Sequence, residues 1–407
     1  MDFNKVFFSD NRQRILDAVN GGLIVLAANG LLQRSADTTF PFRQDSNFWY
    51  LTGVDEPDYV LVCSVEETFL IAPQRPEHRD MWDGAIDQRA LKETSGIAQI
   101  MEHTEGWNKL DRMLKKAKKA YTITPVEAYF DSFGFYANPA RGALLTALKK
   151  HRTLELSDIR KPLARLRQYK QPAELAALRE AIAITGATLA SVQKKLHSYD
   201  YEYELAADIT AGFMRRGAAG HAYLPIVAAG RNAATIHYID NTGPLADGGF
   251  VLCDVGAEVK NYSADITRTF PLGGAASLTK REKQVYHAVE RVQKHAFGLL
   301  KPGVKVREYE AKVDAQMAKE LKALGLLDDE SDKKKLKKYY PHLASHFLGL
   351  DTHDAADYDL PLEPWMVLTV EPGIYIPEEG IGVRIEDDVL VTAGGIEVLS
   401  KDLPTAL

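Results

Sequence analysis

The sequence predicts an α+β protein of two domains, an N-terminal α/β domain over residues 1–165 and a C-terminal domain over residues 166–407. Three observations carry this. The chain has 407 residues, more than one ordinary hydrophobic core serves. In its N-terminal part, short β-rich apolar runs alternate with amphipathic segments. Past a basic connector at 160–172, long helical patterns are interleaved with pairs of strands.

Taken in order, "LIVLAA" (23–28), "YVLVCSV" (59–65), "TFLIAP" (68–73) and "KAYTITP" (119–125) read as strands. Amphipathic segments lie between them. One is "NPARGALLTALKKHR" (138–152), closing in Lys and Arg as a helix C-terminus favours. In "RKPLARLRQYKQPAELAALREAIAITGATL" (160–189) Pro172 suits a first helical position, and Leu175, Leu178, Ile182 and Leu189 share one face. Helices are expected near 172–197, 202–216, 279–300 and 306–325. The charge-dense "DDESDKKKLKKYY" (328–340) reads as a solvated helix end or loop.

Composition excludes several classes. A net charge of −6 argues against a nucleic-acid binder. The N-terminus lacks the apolar core of a secretory signal. The run "GGLIVLAANGLL" (21–32) is shorter than the roughly 20 residues a membrane helix needs. Cys63 and Cys253 sit in separate apolar runs and read as buried free thiols, so a cytoplasmic location is expected. There is no Walker A, CxxC, HExxH or GxSxG motif.

The chemistry shows instead in misplaced acids. Asp254 interrupts the apolar "VLCDV" (251–255), and Asp265 follows in "SADITRTF" (263–270). Folding the segment at Val259–Lys260 sets these two opposite each other across an antiparallel hairpin. In "VLTVEPGIYIPEEGIGVRIEDDVLV" (367–391), folding at Glu378–Glu379 sets Glu371 opposite Glu386. Strand alternation puts Arg384 on the face of Glu386. One such hairpin is unremarkable, with Arg268 or Arg384 available as a partner. Two suggest a duplicated half whose hairpins meet around cations. Between them, "YYPHLASHFLGLDTHDAADY" (339–358) holds His342, His346 and His353, and "NAATIHYIDN" (232–241) holds His237. Spacing alone does not choose among these histidines. Oxygen-rich sets suit hard or borderline divalent ions, manganese or magnesium before zinc. Four acids suit a pair of ions, roughly 3.5–4 Å apart, serving hydrolysis.

The stretches "HYIDN", "DVGAEVKNYSADITRTFP", "HLASHFLGLDTHD", "TVEPGIYI" and "GVRIEDD" together resemble metallopeptidase family M24, the pita-bread fold, and its proline-specific branch of aminopeptidase P and prolidase above all. The resemblance covers residues 172–405. It extends to the N-terminal domain through "PFRQDSNFWYLTGVDEPDYVLV" (41–62), which is similar to the aminopeptidase P and creatinase type of N-terminal domain.

The resemblance implies five ligands for two divalent metal ions: Asp254, Asp265, His346, Glu371 and Glu386, with Asp265 and Glu386 bridging. Manganese is expected, with zinc, cobalt or iron as alternatives. It implies that His237 and His353 stabilise the reacting carbonyl, and that Glu371 also handles the nucleophile's proton. His342, Tyr223, Tyr375 and Arg384 are implied at the substrate, Arg384 with a part in catalysis. Asp37 and Trp82 match residues that reach a neighbouring subunit, so a homodimer or homotetramer is expected. Thr352 stands where many relatives have valine beside the prolyl pocket. The implied activity is removal of an N-terminal residue preceding proline from peptides, with an Xaa-Pro dipeptidase as the alternative. Creatinase-like hydrolases and non-catalytic binding modules are rivals that typically lose ligands retained here. No nucleic-acid or membrane partner is expected.

Overall fold

The apolar run Leu23–Ala27 lies inside a mixed six-stranded sheet. Its neighbours are Val60–Cys63, antiparallel, and Lys119–Thr122, parallel. The sheet order is Gln99–Met101, Thr68–Ile71, Val60–Cys63, Leu23–Ala27, Lys119–Thr122, Glu155–Asp158. Leu23–Ala27, Val60–Cys63 and Thr68–Ile71 are buried runs rather than alternating ones, and helices cover them: Leu110 and Leu114 of His103–Lys116 and Leu144 and Leu148 of Pro139–Leu148 pack with Val25, Val62 and Phe69. Asn138 caps the last of these helices, with Pro139 in its first turn. This is the α/β unit read from the sequence. The computed structural model describes residues 3–124, 134, 136–246, 248–403, 405 and 407, so the end of the run at 119–125 lies outside the described residues. The chain divides at Leu166/Arg167.

The second unit repeats one plan. Helices Pro172–Gln193 and Glu202–Arg215 pack with the strands Phe250–Val255 and Ile266–Pro271 in one core. Helices Lys280–Leu299 and Val306–Ala323 pack with the strands between Val367 and Thr392 in another. Pro172–Gln193 is long and apolar enough to cross a bilayer, but Leu178, Ala181 and Leu189 are fully buried in the first core. The run at 328–340 is less solvated than its charge suggests. It forms the helix Lys333–Tyr339 with Leu336 and Tyr339 buried.

Each core carries a hairpin, and the two hairpins meet. Glu386 N–H donates to Thr267 O at 3.1 Å, and Arg384 N–H to Thr269 Oγ1 at 3.2 Å. The second hairpin has the expected register: Val370 pairs with Asp387 and Gly373 with Arg384, so Glu371 falls opposite Glu386 in the gap between the two ladders.

The first hairpin corrects the expectation by two residues. Asp254 pairs with Thr267, not Asp265, and Val259 pairs with Tyr262. The loop is Lys260–Asn261, both at positive φ (51° and 67°), the two-residue turn whose twist matches the strands. A turn centred one residue earlier would force β-branched Val259 into that conformation. In the observed register Asp265 falls opposite Gly256. A Cβ at Gly256 would lie 1.8 Å from Ala264 O and 3.0 Å from Tyr223 Cε1, so glycine is what lets the strands and the Tyr223 ring close over the acids.

Candidate metal centre

The seam between the hairpins collects the predicted residues. Asp254, Asp265 and Glu386 are 9%, 5% and 1% exposed. The Tyr223 hydroxyl lies 2.5 Å from both Asp254 Oδ1 and Asp265 Oδ1, so these acids still converge, diagonally rather than face to face. His346 Nε2 lies 3.4 Å from Asp265 Oδ2 and 3.3 Å from Glu371 Oε1. Asp265, His346 and Glu386 each turn one ligand atom to within 4.8 Å of the others.

Arg384 is anchored here by all three of its nitrogens. Its guanidinium donates to Asp254 Oδ2, to Tyr375 Oη at 2.8 Å and to Thr267 Oγ1 at 3.0 Å. The Tyr375 hydroxyl also meets His342 Nε2 at 2.7 Å, while His342 Nδ1 lies 2.8 Å from Leu343 O. A carbonyl only accepts, so Nδ1 carries the proton and Nε2 accepts from Tyr375. Arg268, on the opposite face of its strand, pairs with Asp387 at 2.6 Å and braces the Glu386 backbone by donating to its carbonyl at 2.6 Å. His353 stacks edge-on against His346, ring centroids 4.4 Å apart. His237 is exposed. Thr352 is half-buried beside His353. Asp37 and Trp82 are exposed on the first unit.

Three polar residues escaped the sequence reading. Thr267 Oγ1 donates to Glu386 Oε2 at 2.6 Å, and Thr369 Oγ1 to Glu371 Oε1 at 3.2 Å. Asp388 Oδ2 accepts the Asp265 N–H at 3.2 Å. Strand alternation held the signal: Asp265 and Thr267, Thr369 and Glu371, and Glu386 and Asp388 are each two apart.

Electrostatically the cluster is incomplete. Burial, then Asp265, Glu371 and Asp254, push Glu386 well above the ordinary carboxylate range. Burial raises Asp254 too, against the opposing pull of Arg384. Glu371 is pushed up to about 7 by burial, opposed by His346 and reinforced by Asp265. Burial lowers His346, but Asp265 and Glu371 outweigh it and carry the imidazole to about 9. Crowded acids that hold on to protons are a set of oxygens short of positive charge. The donor set fits divalent cations. His346 Nδ1 faces Phe347 O at 3.0 Å, so that carbonyl takes the Nδ1 proton and Nε2 is the atom turned to the carboxylates, the arrangement of a histidine ligand. Four acids, one imidazole and supporting hydroxyls make an oxygen-rich centre.

A centre of this kind at the seam of two hairpin-bearing halves defines a metal-dependent hydrolase. The chain belongs to metallopeptidase family M24, whose model matches residues 176–393; the model of the aminopeptidase P N-terminal domain matches residues 8–123. It is similar to the Xaa-Pro aminopeptidase of Escherichia coli, 33% identical over 97% of this chain and 94% of that one. It is also 33% identical to Xaa-Pro aminopeptidase 3 of Rattus norvegicus, over 94% of this chain and 78% of the relative. Among solved structures, E. coli aminopeptidase P with the inhibitor Pro-Leu superposes with a TM-score of 0.88 at 30% identity, covering 100% of this chain and 97% of that one.

Proposed function

We propose that the chain is an Xaa-Pro aminopeptidase, hydrolysing the bond between an N-terminal residue and a following proline. The observation that carries this is the convergence of four acids and His346 at one seam, in a chain similar throughout to proteins of that name. Asp254, Asp265, His346, Glu371 and Glu386 would hold two divalent ions, Asp265 and Glu386 being shared. When bound, the ions supply Lewis acidity, acidifying a water and polarising the scissile carbonyl.

The chain's own groups do the rest. Glu371, whose Oε1 lies 3.3 Å from His346 Nε2 at the seam, suits transfer of the attacking water's proton to the departing proline nitrogen. His353 is lowered to about 4 by desolvation and then by the His346 charge. As a neutral imidazole it offers an N–H to the developing oxyanion, with His237 beside it. Tyr223 keeps Asp254 and Asp265 in place, and the substrate's free amine approaches the acids near Asp254. Proline has no N–H to recognise, so the ring must be held by shape, with His342 and Tyr375 as walls.

The same geometry favours substrates that continue past the proline. A dipeptidase needs a cation to cap the proline carboxylate, yet the Arg384 charge is already paired with Asp254 and its nitrogens are anchored on Asp254, Tyr375 and Thr267, and His342 Nε2 is taken by Tyr375. Pro-Leu, bound as an inhibitor by the E. coli relative, is what would remain of an Xaa-Pro-Leu tripeptide. The expected outcome is a higher kcat/KM for an Xaa-Pro-Xaa tripeptide than for the matching Xaa-Pro dipeptide, with manganese present. A dipeptide preference of about tenfold, roughly 1.4 kcal/mol in the transition state, would make this a prolidase.

Manganese as the working ion, a cytoplasmic location and assembly into homodimers or homotetramers belong to the same proposal. The oxygen-rich donor set supports the first. The free, buried thiols of Cys63 and Cys253 support the second. For the third, Met81 and Trp82 stand 89% and 79% exposed side by side, an apolar pair suited to a neighbouring subunit.

A further inference from the structure

Glu202 opens the helix Glu202–Arg215, is 0% exposed, and forms no ion pair among the described residues. Four neutral donors satisfy it instead. Oε1 accepts from Ala229 N–H at 2.7 Å and Asn232 Nδ2 at 3.0 Å; Oε2 accepts from Gly243 N–H at 2.6 Å and Tyr238 Oη at 2.8 Å. A buried carboxylate is costly unless its lone pairs are met in this way. The Tyr238 hydroxyl in turn accepts from Thr242 N–H at 3.2 Å and Asn232 Nδ2 at 3.0 Å. Gly243 is needed for the approach, since a Cβ there would lie 2.5 Å from Asn232 Nδ2 and 2.8 Å from Glu202 Oε1.

The bonded residues 229, 232, 238 and 243 bracket His237 on both sides. Its imidazole is exposed and makes no hydrogen bond of its own among the described residues. Where that ring points is therefore decided by the backbone that Glu202 ties down. We propose that Glu202 is a positioning residue for the hydrolysis: through Tyr238 and the 229–243 segment it holds the otherwise unsupported His237 toward the substrate carbonyl. This rests on the role proposed above for His237.

The test is a double-mutant cycle with a spectroscopic arm. Glu202→Gln replaces an acceptor oxygen by a donor. It is expected to lower kcat about tenfold to a hundredfold, the scale of a displaced catalytic group, with KM and bound metal unchanged. In a His237→Ala background the same substitution should change kcat by less than about twofold, since coupled residues do not add. An equal loss in both backgrounds, or no loss in either, overturns the proposal. If Glu202→Gln does not fold, Tyr238→Phe goes through the same cycle. In the zinc-loaded protein with 15N-labelled histidine, Tyr238→Phe should broaden or double the His237 signals and leave those of His342 and His353 in place. Unchanged His237 signals overturn the proposal. A wild-type protein inactive on Xaa-Pro peptides sinks the reading of function and the catalytic half of this proposal with it, while the spectra separately decide whether the Glu202 network orders His237.

Discussion

His346 Nε2 lies 3.3 Å from Glu371 Oε1, a base and an acid each keeping a proton that a cation would displace. His346 is raised from 6.5 to about 9, so its contribution to stability is complete below pH 6.5 and is lost as the pH climbs through 9. Glu371 is raised from 4.5 to about 7, and its contribution is likewise lost as the pH climbs through 7. The lowered His342 and His353 act oppositely, but below 6.5. In chelator, the melting temperature should therefore fall between pH 6.5 and 9. Saturating Mn2+ should raise it more at the alkaline end, where protons compete least. A level or rising profile in chelator would contradict the electrostatics of the centre.

Removing a shared ligand and removing an oxyanion donor should separate cleanly. Asp265→Ala or Glu386→Ala should abolish turnover and weaken metal binding, read by metal analysis after dialysis. His353→Ala should keep its metal and lose roughly a hundredfold or more in kcat. Full activity of either acid variant in saturating manganese, or loss of metal from His353→Ala, would reverse the assignments.

The register of the first hairpin depends on its turn. Asn261 sits at φ 67°, which asparagine tolerates and alanine does not. Asn261→Ala should cost about 1 kcal/mol, while Asn261→Gly should be neutral or better. Equal losses in denaturant unfolding would point to the side chain's own contacts, not to backbone conformation.

Beside the centre, Arg167 and Lys170 clasp the fully buried Asp354, next to His353, and Arg167 also reaches Asp351 at 2.6 Å. Arg167→Met strips one cation from a buried pair and should cost about 3–5 kcal/mol in denaturant unfolding. Asp351→Asn, at a half-open side chain, should cost less than about 1 kcal/mol. The opposite ranking would show that the cluster is not held through Asp354.

Much of this was legible in order along the chain. Apolar runs marked Leu23–Ala27, Val60–Cys63 and Thr68–Ile71 because these strands are buried along nearly their whole length, and the Pro172 helix announced itself by the proline at its first position and its apolar face. Asp254 inside "VLCDV" was conspicuous because a buried charge demands a partner. Arg384, by contrast, was placed only on the face of Glu386 and at the substrate, and only the folded seam showed its guanidinium paired with Asp254 and hydrogen-bonded to Tyr375 and Thr267.

Local sequence by itself determined which residues are acids in apolar strands, which segments are helices, and that the second hairpin turns at Pro377–Gly380 with Glu371 facing Glu386. Those are matters of propensity and period, settled within a few residues. Tertiary structure decided the rest: the Tyr223 hydroxyl that brings Asp254 and Asp265 together, the hydrogen bonds of Arg384 to Asp254 and Thr267, and the meeting of His346 Nε2 with Asp265 and Glu371. Each joins residues well separated in sequence, from Glu371 against His346 to Arg384 against Asp254 across the two hairpins. Pattern along a strand gives the face a side chain takes; what it meets there is set by the packing of elements distant in the chain.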